Sequence, residues 1–488
     1  MSHARQEQTA VGAPPRLRQR IVEAGGWMTA GFVLDKLIAT GQLVILARLL
    51  TPADLGQVAA SAVVLLTVLT VSEMGVESAL VARREVGEAD LAVAWTLALG
   101  RALVLGGCVW VLAGPIATFF RASELDGLLR VHSLVLLLQG LQSPALALLL
   151  RNLDLGRRVR LDLVRRSIEA GATIGLALWL RSAWAVIGGQ LIGFAFNSVL
   201  SYWVAPFRPR LSLDRKLLQP FLQYGKHLNL TTILIFGVTS GGEYVIGRLL
   251  GTAALGVYQV ALALPTLIGT RLPLMVNRIS FPAYVLLDRD RRAAVRVFGL
   301  QFGVMGLLLL PLSAVLALGA PDVVGLLAGE QWREAAEPLR ALALFTLCCG
   351  LSVVMGSLHY GLNHPEFQTR IWMVQFLIYA ALLVPFTMRL GLTGAAWALS
   401  LSSAIGFALH LLYTRRLLGS EAWTAFGMLA RAAVPVAALA GLGLVALWFQ
   451  AWPKTPWDAA VWLCASAGLY GFYLWRVEYP RLAELWHG

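Results

Sequence analysis

Apolar stretches alternate with short polar connections along the whole chain, and fourteen of them reach the length of about 17 residues that a membrane-crossing helix requires. They fall at 24–47, 56–80, 91–117, 127–150, 162–181, 184–204, 221–248, 254–282, 295–319, 338–360, 370–388, 391–414, 430–450 and 457–476. None shows the strict alternation of a barrel strand, so the pattern predicts an all-α polytopic membrane protein. No connection is long enough for a folded domain. The longest on the side opposite the basic loops, 320–337, is short and leans acidic through Asp322, Glu330, Glu334 and Glu337.

Composition agrees with the pattern. Of 488 residues, 58% are hydrophobic and 14% charged, and the mean hydropathy is +0.70. One soluble core stops growing at roughly 250–300 residues, and too few charges remain to cover so much apolar surface. The net charge of +13 is spread over the connections instead of forming one patch. That spread excludes nucleic acid as the expected partner and points to the positive-inside bias of multispan proteins.

The connecting charges then fix a topology. With the N-terminus inside, one set of loops carries Arg83 and Arg84, the run Arg151 to Arg160, Arg208 to Lys216, Arg289 to Arg296, Arg370, Arg415 with Arg416, and Arg476 with Arg481. The opposite loops carry single cations such as Arg121, Arg181, Arg389 and Lys454. Both termini are therefore expected in the cytoplasm. The basic first twenty residues lack a short apolar core with a cleavage site, so the first span is expected to act as the targeting signal.

An internal repeat organises these spans. Gly41 to Gly56 reads GQLVILARLLTPADLG and Gly241 to Gly256 reads GGEYVIGRLLGTAALG, matching at seven of sixteen positions without a gap. The offset covers six spans, an even number, so the two halves have like orientation. The expected organisation is a cytoplasmic tail (1–23), a first six-helix lobe (24–204), a second (221–415), two trailing helices (430–476) and a second tail (477–488). Paired lobes of this kind enclose a central cavity and bind substrate between them.

The segments LARLLTPADLG (46–56), EMGVESALVAR (73–83), YVIGRLLGTAALGVY (244–258), NRISFPAY (277–284) and the stretch 318–344 resemble the polysaccharide-transporter branch of the multidrug/oligosaccharidyl-lipid/polysaccharide exporter superfamily, with its Wzx-type flippases. The resemblance runs over most of 25–415. It implies a fourteen-helix, two-lobed transporter in the bacterial inner membrane. Its implied cargo is undecaprenyl-pyrophosphate-linked oligosaccharide for exopolysaccharide, capsule or O-antigen synthesis, with polysaccharide polymerase and export machinery as further partners. Two other readings stand beside it: an ion-coupled drug or metabolite antiporter of the same superfamily, and a membrane polymerase or ligase. The last would need catalytic residues on a substantial outer loop, which the sequence lacks.

Ionisable groups at membrane depth are candidates for function because an unpaired charge there is costly. The cations are Lys36, Arg101, Arg271 and Arg278, the last two on nearly one helix face and roughly 10 Å apart. A cleft shared by them suits a pyrophosphate, whose oxygens accept charge-assisted bonds. The acidic candidates for ion coupling are Asp35, Glu73, Glu77 and Glu243. Asp35 should project about 100° away from Lys36. Glu73 and Glu77 face Arg83, Arg84 or Arg165 as possible ion-pair partners, and Glu169 follows Arg165 at i+4. Arg48 and Arg248, matched in the repeat, are expected to close their helix hairpins. His132 and His359 are expected to be satisfied buried histidines, and Cys108, Cys348, Cys349 and Cys464 small packing residues. No metal-ligand spacing, phosphate loop or nucleophile elbow is visible, so no cofactor is expected.

Overall fold

Capping chemistry sets the first helix hairpin. A helix over Pro15–Leu49 (α1) stops at Thr51, which caps Pro52–Val71 (α2). The Thr51 side chain accepts from the Asp54 N–H at 3.2 Å, and the Thr51 N–H donates back to the Asp54 carboxylate at 3.1 Å. This is a capping box with proline at the first helical position. The other Asp54 oxygen accepts the Ala183 N–H at 3.1 Å, tying this turn to the start of a later helix. At the repeat-related turn Gly251, with φ of 90°, takes the place of the side-chain cap.

The computed structural model describes residues 15–72, 75–83, 86–152, 154–212, 214, 230–286, 291–419 and 427. All regular structure in them is helical. After α2 come Val76–Ala82 (α3), Glu88–Phe120 (α4), the short pieces Leu125–His132 (α5), Leu134–Gly140 (α6) and Leu146–Arg151 (α7), then Leu155–Leu180 (α8) and Ala183–Val204 (α9). The second half contains Leu230–Leu249 (α10) and Thr252–Thr266 (α11), which runs through a π turn, Leu267–Arg271, into Leu272–Leu286 (α12). Arg291–Leu318 (α13), Ala320–Leu327 (α14), a 3-10 turn over Glu330–Ala335, Ala336–Gly361 (α15) and Pro365–Leu418 (α16) complete it.

Eight of these segments are long and apolar enough to cross a membrane by length and composition alone. Gly391, with φ of 62° and ψ of −139°, breaks α16 into two spans at the boundary expected from sequence. Only glycine adopts that conformation without strain. With the α5–α7 chain, α8 and α10, the described residues supply the first twelve of the fourteen expected spans. The last two, 430–450 and 457–476, lie outside them.

Three expectations change in detail. The second span turns at Ser72 and resumes as α3, instead of running unbroken over 56–80. The fourth is broken into three pieces. The segment 320–337 is not a loop but a helix and a 3-10 turn that buries Trp332 completely. Its indole N–H donates to the Ala47 carbonyl at 2.6 Å, so burial of the ring leaves no polar atom unsatisfied.

Packing separates two bundles. In the first, α8 lies between α1 and α9, while α4 packs on α5 and α6. In the second, α15 is the hub for α11, α12, α13 and α16. The bundles meet where α2 lies against α11 and α10. There Gly56 faces the Thr252 backbone and Gly256 faces the Pro52 backbone, so each repeat seats its last glycine on the first turn of the other. A side chain at either position would overlap the opposing main chain. This reciprocal contact is what a two-fold relation between like-oriented halves demands.

The same side is held shut by polar bonds between halves. Arg48 donates to the Leu326 carbonyl at 3.1 Å, and Arg248 donates to the Phe119 carbonyl at 3.0 Å. The repeat-related arginines therefore clasp across the halves, and do not close their own hairpins as expected. Gln331 bonds the Ala47 carbonyl, and Tyr244 and Thr67 share a hydrogen bond of 2.5 Å. Between Thr40–Ala47 and Val260–Leu267 a gap of only 50 Å³ remains.

Candidate functional site

On the opposite, arginine-rich side the bundles part. A cleft of 1030 Å³ opens between α1, α3, α8 and α12, lined by Phe32, Asp35, Glu77, Arg158, Asp162 and Arg278 among others. A second chamber of 540 Å³ penetrates the first bundle and shares Glu77, Arg158, Asp162 and Arg165 with the cleft. Among the described residues, one end is thus closed and the other hollow.

Arg278 lines the cleft from the second bundle and meets Lys36 of the first at one ring, Phe32. The Lys36 ammonium lies 5.6 Å from the Phe32 centroid and the Arg278 guanidinium 5.5 Å from it. Both are within cation–π range. Lys36 also binds Asp35, with Nζ 2.6 Å from Oδ2. The expected divergence of these neighbours is corrected here, because the four-carbon lysine stem folds back over the intervening angle. The second Asp35 oxygen lies 3.8 Å from Arg166.

Arg271 closes the π turn that interrupts the eighth span. On that helix Leu264 and Leu267 contact the outer half of α1, and Arg278 reaches Phe32 on its inner half. Arg271 falls between them on the same stripe and is exposed. Neither Arg271 nor Arg278 has a carboxylate within salt-bridge distance among the described residues. The π turn itself is a device found at functional positions in helices.

Arg101 is placed differently. It lines the inner chamber and donates to the Ser72 hydroxyl at 3.2 Å and the Leu69 carbonyl at 3.1 Å, capping the end of α2. Glu77 lines both cavities and lies 3.7 Å from Arg158, while of its expected partners Arg83 pairs with Asp90, Arg165 pairs with Glu169 and Arg84 lies outside the described residues. Glu73 lies outside the described residues. Glu243 sits in the second bundle, bonded to Gln259 and beside Tyr379, and lines neither cavity. Glu169 pairs with Arg165, as its spacing suggests, and also with Arg166 at 2.6 Å. His132 is satisfied by Ser61 and Gln190, and His359 by Thr414 and Gln368.

Three site residues escape the sequence reading: Arg158, Asp162 and Arg165. They recur at spacings of four and three, a charged stripe on one face of α8. The fifth span, however, begins at Leu155 and not at 162, so Arg158 belongs to the helix instead of the preceding loop. Arg158 is held by Asp162 at 3.4 Å as well as by Glu77. The cleft wall is therefore a mesh of paired charges, and the surplus positive charge sits on the eighth span.

Residues 45–337 match the polysaccharide biosynthesis protein family. The lipopolysaccharide biosynthesis protein WzxC of Escherichia coli K12 is 22% identical over 347 residues, 70% of each chain. The succinoglycan biosynthesis transport protein ExoT of Rhizobium meliloti is 29% identical over 306 residues, 62% of this chain and 61% of that one. Among solved structures, the lipid II flippase MurJ in an inward closed conformation superposes with a TM-score of 0.72 at 13% identity, over 93% of this chain and 99% of MurJ. A MATE multidrug transporter of the MOP superfamily, facing inward, gives 0.53 at 17% identity, over 80% and 95%. These likenesses establish the fold, an all-helical architecture shared with MurJ and, more distantly, with the MATE structure. By the match over its sequence, the chain belongs to the polysaccharide biosynthesis protein family.

Proposed function

We propose that the protein is a flippase, carrying undecaprenyl-pyrophosphate-linked oligosaccharide from the cytoplasmic to the outer leaflet of a bacterial inner membrane by alternating access. The observation that carries this reading is Arg278 on the cleft wall, with the exposed Arg271 seven residues before it on the same span, neither having a carboxylate within salt-bridge distance among the described residues. A diphosphate is the headgroup that such a pair attracts, since each guanidinium offers a fork of donors to phosphate oxygens. Lys36 adds a third cation from the other bundle, and Arg101 a fourth from the chamber wall. The relatives named as lipopolysaccharide and succinoglycan proteins supply the class of cargo, and the naming of the second as a transport protein argues against an enzyme.

The lobes comprise 24–204 and 221–415, followed by the helices 430–450 and 457–476, with tails 1–23 and 477–488 and both termini in the cytoplasm. The basic loops lie on the side where the cleft opens, which suits entry of a cargo made at the cytoplasmic face. Asp35, Glu73, Glu77 and Glu243 are the carboxylates through which an ion gradient would couple. Delivery passes the product to polysaccharide polymerase and export machinery in the same membrane. The deciding experiment is depletion of the protein followed by measurement of lipid-linked oligosaccharide in each leaflet. The reading requires accumulation in the inner leaflet; unchanged delivery to the outer leaflet overturns it.

A further inference from the structure

The fourth span is broken where it need not be. Between Gly140 and Leu146 the helix gives way to turns, in the half of the span nearer the arginine-rich side. The tenth span, its counterpart under the internal repeat, runs unbroken over Ala336–Gly361. The fold therefore does not impose the break. Non-helical backbone at membrane depth survives only where protein buries it or where it lines a wet cavity, and broken helices mark binding sites in transporters.

Both conditions are met here. On the protein side, α9 satisfies the break: the Ser143 N–H donates to the Ser201 hydroxyl at 2.9 Å, and the Tyr202 hydroxyl donates to the Leu141 carbonyl at 2.6 Å. On the other side, Gln142 and Ser143 line the 540 Å³ chamber. Its floor is made of small side chains, Ala94, Ala98 and Ala102, which leave the space open. Asn197, only 4% exposed, also lines it, and its Oδ1 has no hydrogen-bond partner among the described residues. An acceptor buried without a partner costs about 1–3 kcal/mol, so a ligand donor is owed at this position.

We infer that this chamber binds the glycan of the cargo, while the diphosphate stays at the eighth span in the adjoining cleft. The inference rests on the flippase reading and adds to it a place for the sugars. The lining decides the chemistry. Gln139, Gln142 and Asn197 present neutral amides, each able to give and take a hydrogen bond, which is what sugar hydroxyls require. Of the chamber's cations, Arg158 is paired with Glu77 and Asp162, and Arg165 with Glu169, while Arg101 donates to the Ser72 hydroxyl and the Leu69 carbonyl. Two of the three are thus matched by carboxylates, so the diphosphate is favoured at the eighth span, where Arg271 and Arg278 have none within salt-bridge distance among the described residues. The volume lies within the range of about 300–1,000 Å³ typical of small-ligand pockets. Because cleft and chamber share a wall, one molecule can occupy both.

The test uses the full-length protein in detergent and two probes: undecaprenyl diphosphate, and the lipid-linked oligosaccharide extracted from cells lacking the transporter. Asn197→Leu and Gln142→Leu are each expected to weaken binding of the glycan-bearing probe by about tenfold, the scale of losing one or two buried hydrogen bonds. Binding of undecaprenyl diphosphate stays unchanged in both. Ala98→Phe, which fills the floor without touching a polar group, has the same selective effect and guards against misfolding in the polar variants. Arg271→Ala weakens both probes. If the three chamber variants affect both probes equally, or neither, the glycan site is overturned while the flippase reading stands. If the unmodified protein binds neither probe, the flippase reading itself fails.

Discussion

At the scale of single residues, the site depends on which charges are already committed. Arg158, Arg165 and Arg166 each have a carboxylate partner, whereas Arg271 and Arg278 have none among the described residues. Arg271→Ala is therefore expected to reduce delivery of lipid-linked oligosaccharide by about tenfold or more at normal protein levels, the worth of one charge-assisted bond. Arg271→Lys keeps the charge but loses the planar fork, so its defect should fall between the two, read from leaflet distribution in the same cells. The clasping arginines predict a different result. Arg48→Ala combined with Arg248→Ala removes two bonds between halves without touching the cleft. A cysteine placed at Val260, in the narrow gap beneath those clasps, should then react faster with a membrane-impermeant thiol reagent, measured in a protein whose native cysteines are replaced.

At the scale of elements, the α2 and α11 turns act as a matched pair. Gly56→Leu is expected to wedge them apart, because its side chain would occupy the space of the Thr252 backbone. The same Val260 cysteine reports the wedge as raised labelling, and transport should fall as the sealed state is lost. Much at this scale was legible in the sequence. Span positions follow from apolar length, and the Gly391 boundary from the gap between 388 and 391. The repeat also showed in advance which two turns are equivalent. It did not show that the equivalent arginines reach across the halves, since partners such as Leu326 and Phe119 offer only backbone carbonyls, which no side-chain pattern reveals. The breaks in the second and fourth spans were equally invisible. Gln142, Ser143 and Pro144 interrupt an otherwise apolar run too briefly to divide it, and it is the hydroxyls of Ser201 and Tyr202, distant in sequence, that make the interruption tolerable.

For the whole molecule, the described residues are hollow on one side and closely packed on the other, as one state of the proposed alternating-access cycle would be. Under the proposed topology the basic loops and the open side face the cytoplasm. A fluorescent protein fused after residue 488 should consequently fold and fluoresce, and alkaline phosphatase fused there should be inactive. The reverse result would invert the direction of the proposed transport. At this scale the sequence showed that two bundles exist and that cations lie at depth in both. It did not show the chamber inside the first bundle, because that space depends on small residues from α4 facing the helix break between α6 and α7.

The crossing of Gly56 over residue 252 and Gly256 over residue 52 also constrains how the chain can change. Each turn is the mould for the other, so neither half is a free-standing module. A chimaera that takes one half from a relative with a bulkier turn would inherit a lid that no longer fits its seat. One that exchanges both turns together would keep the fit. Substitutions on the two sides of this crossing should accordingly be inherited as pairs.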